Sequence, residues 1–439
     1  MEILHSVTLD VEKCKGCTTC IKHCPTEAIR VRRGKAQILS QRCIDCGQCV
    51  RVCPHHAKKV VCDPFDMLKD FEYKIALPAP SFYGQFKNIN DVNIILGGLL
   101  KIGFDSVFEV SKAAEMLSDL TRKTIKEPKD MRRPVISSAC PAAVRLIRMR
   151  YPNLVENVMP QIAPVELAAI LSRKQAAAET GLSPDKIGVF FITPCPAKVT
   201  GARYPIGGMP RVIDGAFSMT AIYKKIVGVI NETEEPEALS SSGIMGIGWA
   251  VTGGESAALL NDTHLAVDGI ENIKKVLEDI EDGRLPEIEF VELNACTQGC
   301  VGGCLTVENP YIAKTRIKRL MKYLPVSRNK FESGVGNKNL VTWDNQLKYS
   351  PVWRLGEDTT DALEKLNKIN ELYESLPGLD CASCGAPSCK AFAEDIVLGI
   401  ASEEDCIFRM RERMQYLSGM GDADSYLPPP FRKSGEAQK

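Results

Sequence analysis

A chain of 439 residues is too long for one small core and implies about two to four domains. Its 55 Lys and Arg balance 55 Asp and Glu, which removes the overall positive field that nucleic-acid binding needs. No apolar run approaches the roughly 20 residues of a membrane span. The segment MEILHSVTLD has no basic start, apolar stretch or cleavage site of a secretory leader. A cytoplasmic protein without nucleic-acid or membrane partners is expected. Its eighteen cysteines fall at short, regular spacings, which in a reducing compartment point to metal rather than disulfides.

Residues 1–66 form the first expected domain. They contain an internal repeat, Cys14-x-x-Cys17-x-x-Cys20-x-x-x-Cys24-Pro25 followed by Cys43-x-x-Cys46-x-x-Cys49-x-x-x-Cys53-Pro54. The two runs resemble the bacterial two-cluster ferredoxins, which implies an α+β domain with two 4Fe-4S clusters. In that arrangement three closely spaced thiolates wrap one face of a cubane and the fourth crosses to the other cluster. The resemblance therefore implies Cys14, Cys17, Cys20 and Cys53 on one cluster, and Cys43, Cys46, Cys49 and Cys24 on the second. A pair of zinc sites is the alternative, although zinc sites usually show paired CxxC knuckles. Residues 1–60 carry eleven Lys and Arg against five Asp and Glu. That patch either docks an acidic redox partner or offsets the charge of thiolate clusters.

Residues 67–354 read as α/β, with short β-branched runs alternating with amphipathic helices. Strands are expected at Tyr73 to Leu77, Val135 to Ser138, Ile187 to Ile192 and Ile288 to Leu293. Helices are expected at 141–150, 163–178 and 270–281. Three of the strands run into a cysteine, at Cys140, Cys195 and Cys296. Ligands in open α/β sheets bind outside the carboxyl ends of strands, so these cysteines are expected to converge.

The stretch from about 70 to 325 resembles the catalytic domain of the FeFe hydrogenases. Family patterns T-S-C-C-P, M-P-C-x-x-K and E-x-M-A-C-x-x-x-C-x-x-G-G appear here as S-S-A-C-P (137–141), T-P-C-P-A-K (193–198) and E-L-N-A-C-T-Q-G-C-V-G-G (292–303). The resemblance implies an H-cluster at the strand ends. Cys140, Cys195, Cys296 and Cys300 would bind a 4Fe-4S cubane, and Cys300 would bridge to a binuclear iron subsite carrying CO, cyanide and azadithiolate. Lys198 matches the lysine that hydrogen-bonds an iron-bound cyanide, a charge-assisted contact. Ala79, Pro80 and Ser81 match the stretch around the other cyanide. Gly302 and Gly303 are expected to let backbone approach the cofactor closely.

The chain departs from the family where protons are handled. Ala139 replaces the cysteine that passes protons at the active site, and Gly201 replaces the acid three positions after the lysine. Thr193 and Asn294 stand where methionines are usual. A positioned proton donor is worth about a hundred- to ten-thousand-fold in rate, so slow turnover is expected. Glu255, in a Gly-rich loop, is either a replacement proton carrier or a helix N-terminal carboxylate held by the helix dipole. Cys304 is either a thiol near the cluster or a buried inert one, and Cys62 is expected to be structural. These substitutions resemble the branch of the family associated with dihydrogen sensing.

Residues 355–421 form a third, mainly helical expected domain. After a charged helical stretch, Asp358 to Glu374, come Cys381-x-x-Cys384-Gly385-x-x-x-Cys389 and then Cys406. This resembles the small 4Fe-4S domain of some hydrogenases and corrinoid proteins, with zinc as the alternative metal. Residues 422–439 are a polar tail.

The resemblance implies reversible oxidation of dihydrogen to protons and electrons. Three further 4Fe-4S clusters would pass electrons to ferredoxin or another carrier, maturation proteins would supply the binuclear subsite, and a signalling effector is a possible partner of a sensor. The alternative is an electron-transfer or iron-sulfur assembly protein that lacks the binuclear subsite.

Overall fold

Strand Ile187–Thr193 has no charged residue, and all seven of its residues are buried, as expected for a parallel strand covered on both faces. The computed structural model describes residues 5–126, 132–230, 237–331, 336–351 and 355–418; the polar tail lies outside the described residues. These pack as two units. One contains residues 5–10 and 40–351, the other residues 11–39 and 355–418.

In the first unit, Ile187–Thr193 lies within a four-stranded parallel sheet. The spatial order is Ser106–Val107, Tyr73–Pro78, Ile187–Thr193 and Gly215–Ser218. Phe190 stacks on Phe217 with ring centroids 5.3 Å apart and meets Phe71 edge-on at 5.5 Å. Burying a phenylalanine of this kind contributes about 1.5–3 kcal/mol. Helix Pro164–Thr180 packs across the two central strands.

A second, three-stranded parallel sheet has the order His264–Asp268, Phe290–Asn294, Val135–Ile136. Helix Ile270–Glu281 covers it with Ile270, Ile273, Leu277 and Ile280 inward. The ferredoxin-like strands Val7–Leu9 and Lys58–Val60 pair antiparallel in the same unit.

The second unit joins an antiparallel hairpin, Ile29–Arg32 with Lys35–Ile38, to helices Thr359–Ser375 and Cys389–Val397. Ile369, Leu376, Phe392, Ala393 and Cys406 form its core. Arg30 Nε and Arg32 NH2 each donate to Asp395 Oδ2 at 2.6 Å, with the Arg30 and Asp395 side chains 2% and 3% exposed. Val31 N donates to Gly385 O at 2.8 Å, and Arg32 NH1 to Cys384 O at 3.0 Å. Packing thus divides the chain differently from the consecutive boundaries read along the sequence. The segment with the first cysteine run packs in one unit with the C-terminal cysteines, where a buried ion pair joins residues far apart in the chain.

Candidate metal centre

Four strand ends supply the residues of the site. Tyr73–Pro78 leads into Ala79 and the 3-10 turn Pro80–Gln85, and Ile187–Thr193 leads into Cys195. Val135–Ile136 leads to Cys140, and Phe290–Asn294 to Cys296. Cys140 and Cys195 are the N-caps of helices Pro141–Arg150 and Pro196–Arg203. Proline at the first helical position has its φ preset and loses no hydrogen bond there. Each Cys-Pro pair therefore turns strand into helix and leaves the sulfur at the positive end of the helix dipole, where an anionic group is stabilised.

Cys140, Cys195, Cys296 and Cys300 interact electrostatically with one another, and none forms a disulfide. Burial, reinforced by the neighbouring thiolates, pushes the thiols of Cys140 and Cys195 up. For Cys300 burial also raises the thiol, against the pull of Lys198. Lys198 Nζ lies 3.8 Å from Cys300 Sγ. Burial works against the lysine's charge, but the thiolates of Cys300, Cys195, Cys140 and Cys296 hold it charged. Four clustered thiols facing one ammonium suit a polynuclear iron–sulfur group, whose ligands must be deprotonated.

Ser81 adds a second sign of fit. It is fully buried and its hydroxyl has no hydrogen-bond partner among the described residues, an arrangement that costs about 1–3 kcal/mol unless a ligand supplies the partner. The turn that carries it packs against Cys300–Gly302. Lys198 and Ser81 are therefore the residues that would hold acceptor ligands of a group at Cys300.

Gly302 and Gly303 each sit against protein backbone. A Cβ on Gly302 would lie 2.0 Å from Thr297 O, and one on Gly303 would lie 2.2 Å from Pro194 O. Gly302 thus lets the Cys296–Cys300 loop close on itself, and Gly303 lets it press onto the turn that presents Cys195.

Ala139, Ser137 and Glu255 are joined by hydrogen bonds. Ala139 N donates to Ser137 Oγ at 3.1 Å, and that hydroxyl donates to Glu255 Oε1 and Oε2, each at 2.8 Å. Glu255 is buried; burial first, and Glu292 second, push its carboxyl up to about 8. Glu292 is also buried, and accepts from Gly253 N at 3.0 Å, Ser256 N at 2.9 Å and Asn294 Nδ2 at 2.7 Å. Asn294 thus holds an acid of the site where the family has a methionine. An added Cβ at Gly201 would meet nothing within 4 Å. Gly201 borders a small cavity with Lys198, Trp343 and Glu166, and burial pushes Glu166 up to about 7.

Glu292, Glu166 and Arg51 were not singled out from the sequence. Glu292 stood only as the first letter of a pattern, and Glu166 follows the Ala163-Pro164 helix start as an ordinary capping acid. Arg51, between Cys49 and Cys53, reaches the loop of Cys296. Burial pushes the thiols of Cys62 and Cys304 up to about 12 each, toward the neutral form.

At the other cysteine runs, backbone N–H groups point at sulfur. Ala57 N lies 3.3 Å from Cys53 Sγ, Ala28 N 3.2 Å from Cys24 Sγ, and Ala36 N 3.4 Å from Cys14 Sγ. Such donors suit cluster-bound thiolates. In the second unit Cys384 is in electrostatic contact with Cys406 and Cys381.

Cysteines at parallel strand ends and ferredoxin-like runs define an iron–sulfur oxidoreductase. The family described as iron only hydrogenase large subunit, C-terminal domain, matches residues 72–264 and 219–304, more than half of the chain. The chain belongs to this family. A 4Fe-4S dicluster domain matches residues 6–54, and an Fe-S cluster family matches 376–408. The periplasmic [Fe] hydrogenase large subunit of Nitratidesulfovibrio vulgaris is 29% identical over 369 residues, covering 68% of this chain and 86% of that protein. Iron hydrogenase 1 of Clostridium pasteurianum is 23% identical over 255 residues, 48% of this chain and 44% of that protein. An apo [FeFe]-hydrogenase HydA1 from Chlamydomonas reinhardtii shares the fold, with TM-score 0.50 and 17% identity over 65% of this chain and 98% of that one. Among the described residues, no helix is long and apolar enough to cross a membrane.

Proposed function

We propose that this protein reacts reversibly with dihydrogen, yielding protons and electrons, at a cubane held by Cys140, Cys195, Cys296 and Cys300 and a binuclear iron subsite bridged through Cys300. The observation that carries the reading is Lys198 Nζ, 3.8 Å from Sγ of Cys300, the thiol that would bridge the cubane to the binuclear group. When bound, the binuclear group supplies dihydrogen activation and redox chemistry. The chain's own residues do the rest. Lys198 and the Ser81 hydroxyl, unpartnered among the described residues, would orient ligands of that group, and Glu255, poised near pH 8, holds a proton beside the Ser137 hydroxyl.

Electrons would leave through three further 4Fe-4S clusters. Two are assigned to the N-terminal runs, with ligands Cys14, Cys17, Cys20 and Cys53 for one and Cys43, Cys46, Cys49 and Cys24 for the other. The third is assigned to Cys381, Cys384, Cys389 and Cys406. Ferredoxin or a similar cytoplasmic carrier is the expected acceptor, and maturation proteins the source of the binuclear group. Ala139 and Gly201 support slow turnover and a dihydrogen-sensing role, with a signalling effector as partner.

Exchange of D2 with water protons, followed by mass spectrometry, tests the reaction without any electron carrier. Matured protein is expected to form HD, and K198A is expected to lose most of that activity. No HD from matured protein with its cubanes intact would instead assign the chain to electron transfer or iron–sulfur assembly.

A further inference from the structure

Arg51 ends the short helix Gln48–Arg51 between two cysteines of the second ferredoxin-like run. Its NH2 donates to Cys296 Sγ at 2.9 Å and to Gly302 O at 2.7 Å, while NH1 reaches Gln48 Oε1 at 3.3 Å. Beside it, the backbone at Gly47 approaches so closely that an added Cβ would lie 2.6 Å from Cys304 Sγ. The ferredoxin-like run and the catalytic loop therefore meet through one guanidinium and one glycine.

We propose that Arg51 is a positioning residue that sets the reduction potential of the cubane bound through Cys296, by donating a charged hydrogen bond to that ligand's sulfur. Reduction adds one electron to the cubane, and Arg51 neither gains nor loses a proton. The added negative charge strengthens the N–H···S contact, so the reduced state is favoured and the potential rises. Electrons released at the active site then collect on the cubane next to the run of Cys43, Cys46 and Cys49. The same guanidinium keeps the two segments in register by also holding Gly302 O.

This inference rests on the assignment of a cubane to Cys140, Cys195, Cys296 and Cys300, but not on the binuclear subsite. The test is an EPR-monitored dithionite titration of the full chain with its 4Fe-4S clusters reconstituted and no binuclear group. The cubane signal is identified by its loss in C195S. Hydrogen bonds to charged groups are worth enough to shift the ratio of oxidised to reduced cubane about tenfold at fixed potential. R51A is expected to shift it toward oxidised by that factor, R51K by less in the same direction, and the C-terminal cluster not at all. If R51A fails to hold its clusters, R51K still decides, since its shift must have the same sign. An unchanged cubane midpoint in R51K and R51A would overturn the proposal. Absence of the C195S-sensitive signal from the wild-type chain would overturn the ligand assignment, and the proposal with it.

Discussion

Ser137 donates its hydroxyl to both carboxylate oxygens of Glu255 at 2.8 Å and accepts the backbone N–H of Ala139 at 3.1 Å. One side chain thus links the position that lacks the usual thiol to an acid inside the protein. Glu292, held by two backbone N–H groups and Asn294, adds a second buried carboxyl in electrostatic contact with the first. If protons pass this way, E255Q keeps the shape and loses the carrier. D2 exchange is expected to fall about a hundredfold or more, with cluster content unchanged. Wild-type exchange in E255Q would remove Glu255 from the route.

The same acid makes a pH prediction. Its carboxyl titrates near 8 in the folded chain against an ordinary value of 4.5. Between those values the folded state binds a proton that the unfolded state has lost. Stability therefore falls as pH rises from about 4.5 to about 8, then levels off. E255Q has no such proton, so its stability relative to wild type is expected to grow over that interval. Anaerobic thermal unfolding at pH 5, 6.5 and 8 checks this; a constant difference would mean that Glu255 is not protonated when folded.

Restoring the missing thiol tests why turnover is expected to be slow. Ala139 is partly exposed within the site, and A139C adds only a sulfur atom beside Ser137. A rise in dihydrogen turnover of about a hundredfold or more is expected from a restored proton donor. Gly201 offers a companion test, since its Cβ direction is open and G201E places an acid near Lys198. Both variants are expected to fold as wild type does. Unchanged turnover in A139C and in the double variant would locate the limitation elsewhere.

In the second unit, D395N leaves the buried Arg30 and the half-buried Arg32 against a neutral side chain. Removing one partner of a buried ion pair costs about 3–5 kcal/mol. D395N is expected to lose the C-terminal cluster on mild heating, while R30M/D395L, which leaves only the half-buried Arg32 of the three charges, retains it longer. Iron content and the EPR signal of that cluster, followed against temperature, distinguish these outcomes. Equal retention in D395N and wild type would show that the pair does not hold the unit together.

Local chemistry was legible in the sequence where spacing or periodicity encodes it. The strands at Tyr73 and Ile187 and the helices starting at Pro141 and Ile270 follow from apolar runs, prolines and caps, and Cys140, Cys195 and Cys296 stand out by their places after strands, whereas Cys300 is marked only by the resemblance to the family pattern. Gly215–Ser218 and His264–Asp268 were missed because each is short, and His264–Asp268 is mostly half-buried. The strand expected from Val135 to Ser138 stops at Ile136 because both serines turn their hydroxyls inward, Ser137 to Glu255 and Ser138 to Gln161 O. Pairs such as Glu255 with Glu292, Arg51 with Cys296 and Arg30 with Asp395 lie 37, 245 and 365 residues apart. No local pattern marks such partners, because only folding brings them together.

The central claim is that Cys300 and Lys198 frame a binuclear iron group that responds to dihydrogen. Infrared spectroscopy of matured protein under argon and then dihydrogen tests it most directly. The account predicts metal-bound CO and cyanide bands that change under dihydrogen, with the cyanide bands shifted in K198A. Intact cubanes without such bands, or bands indifferent to dihydrogen, would contradict it.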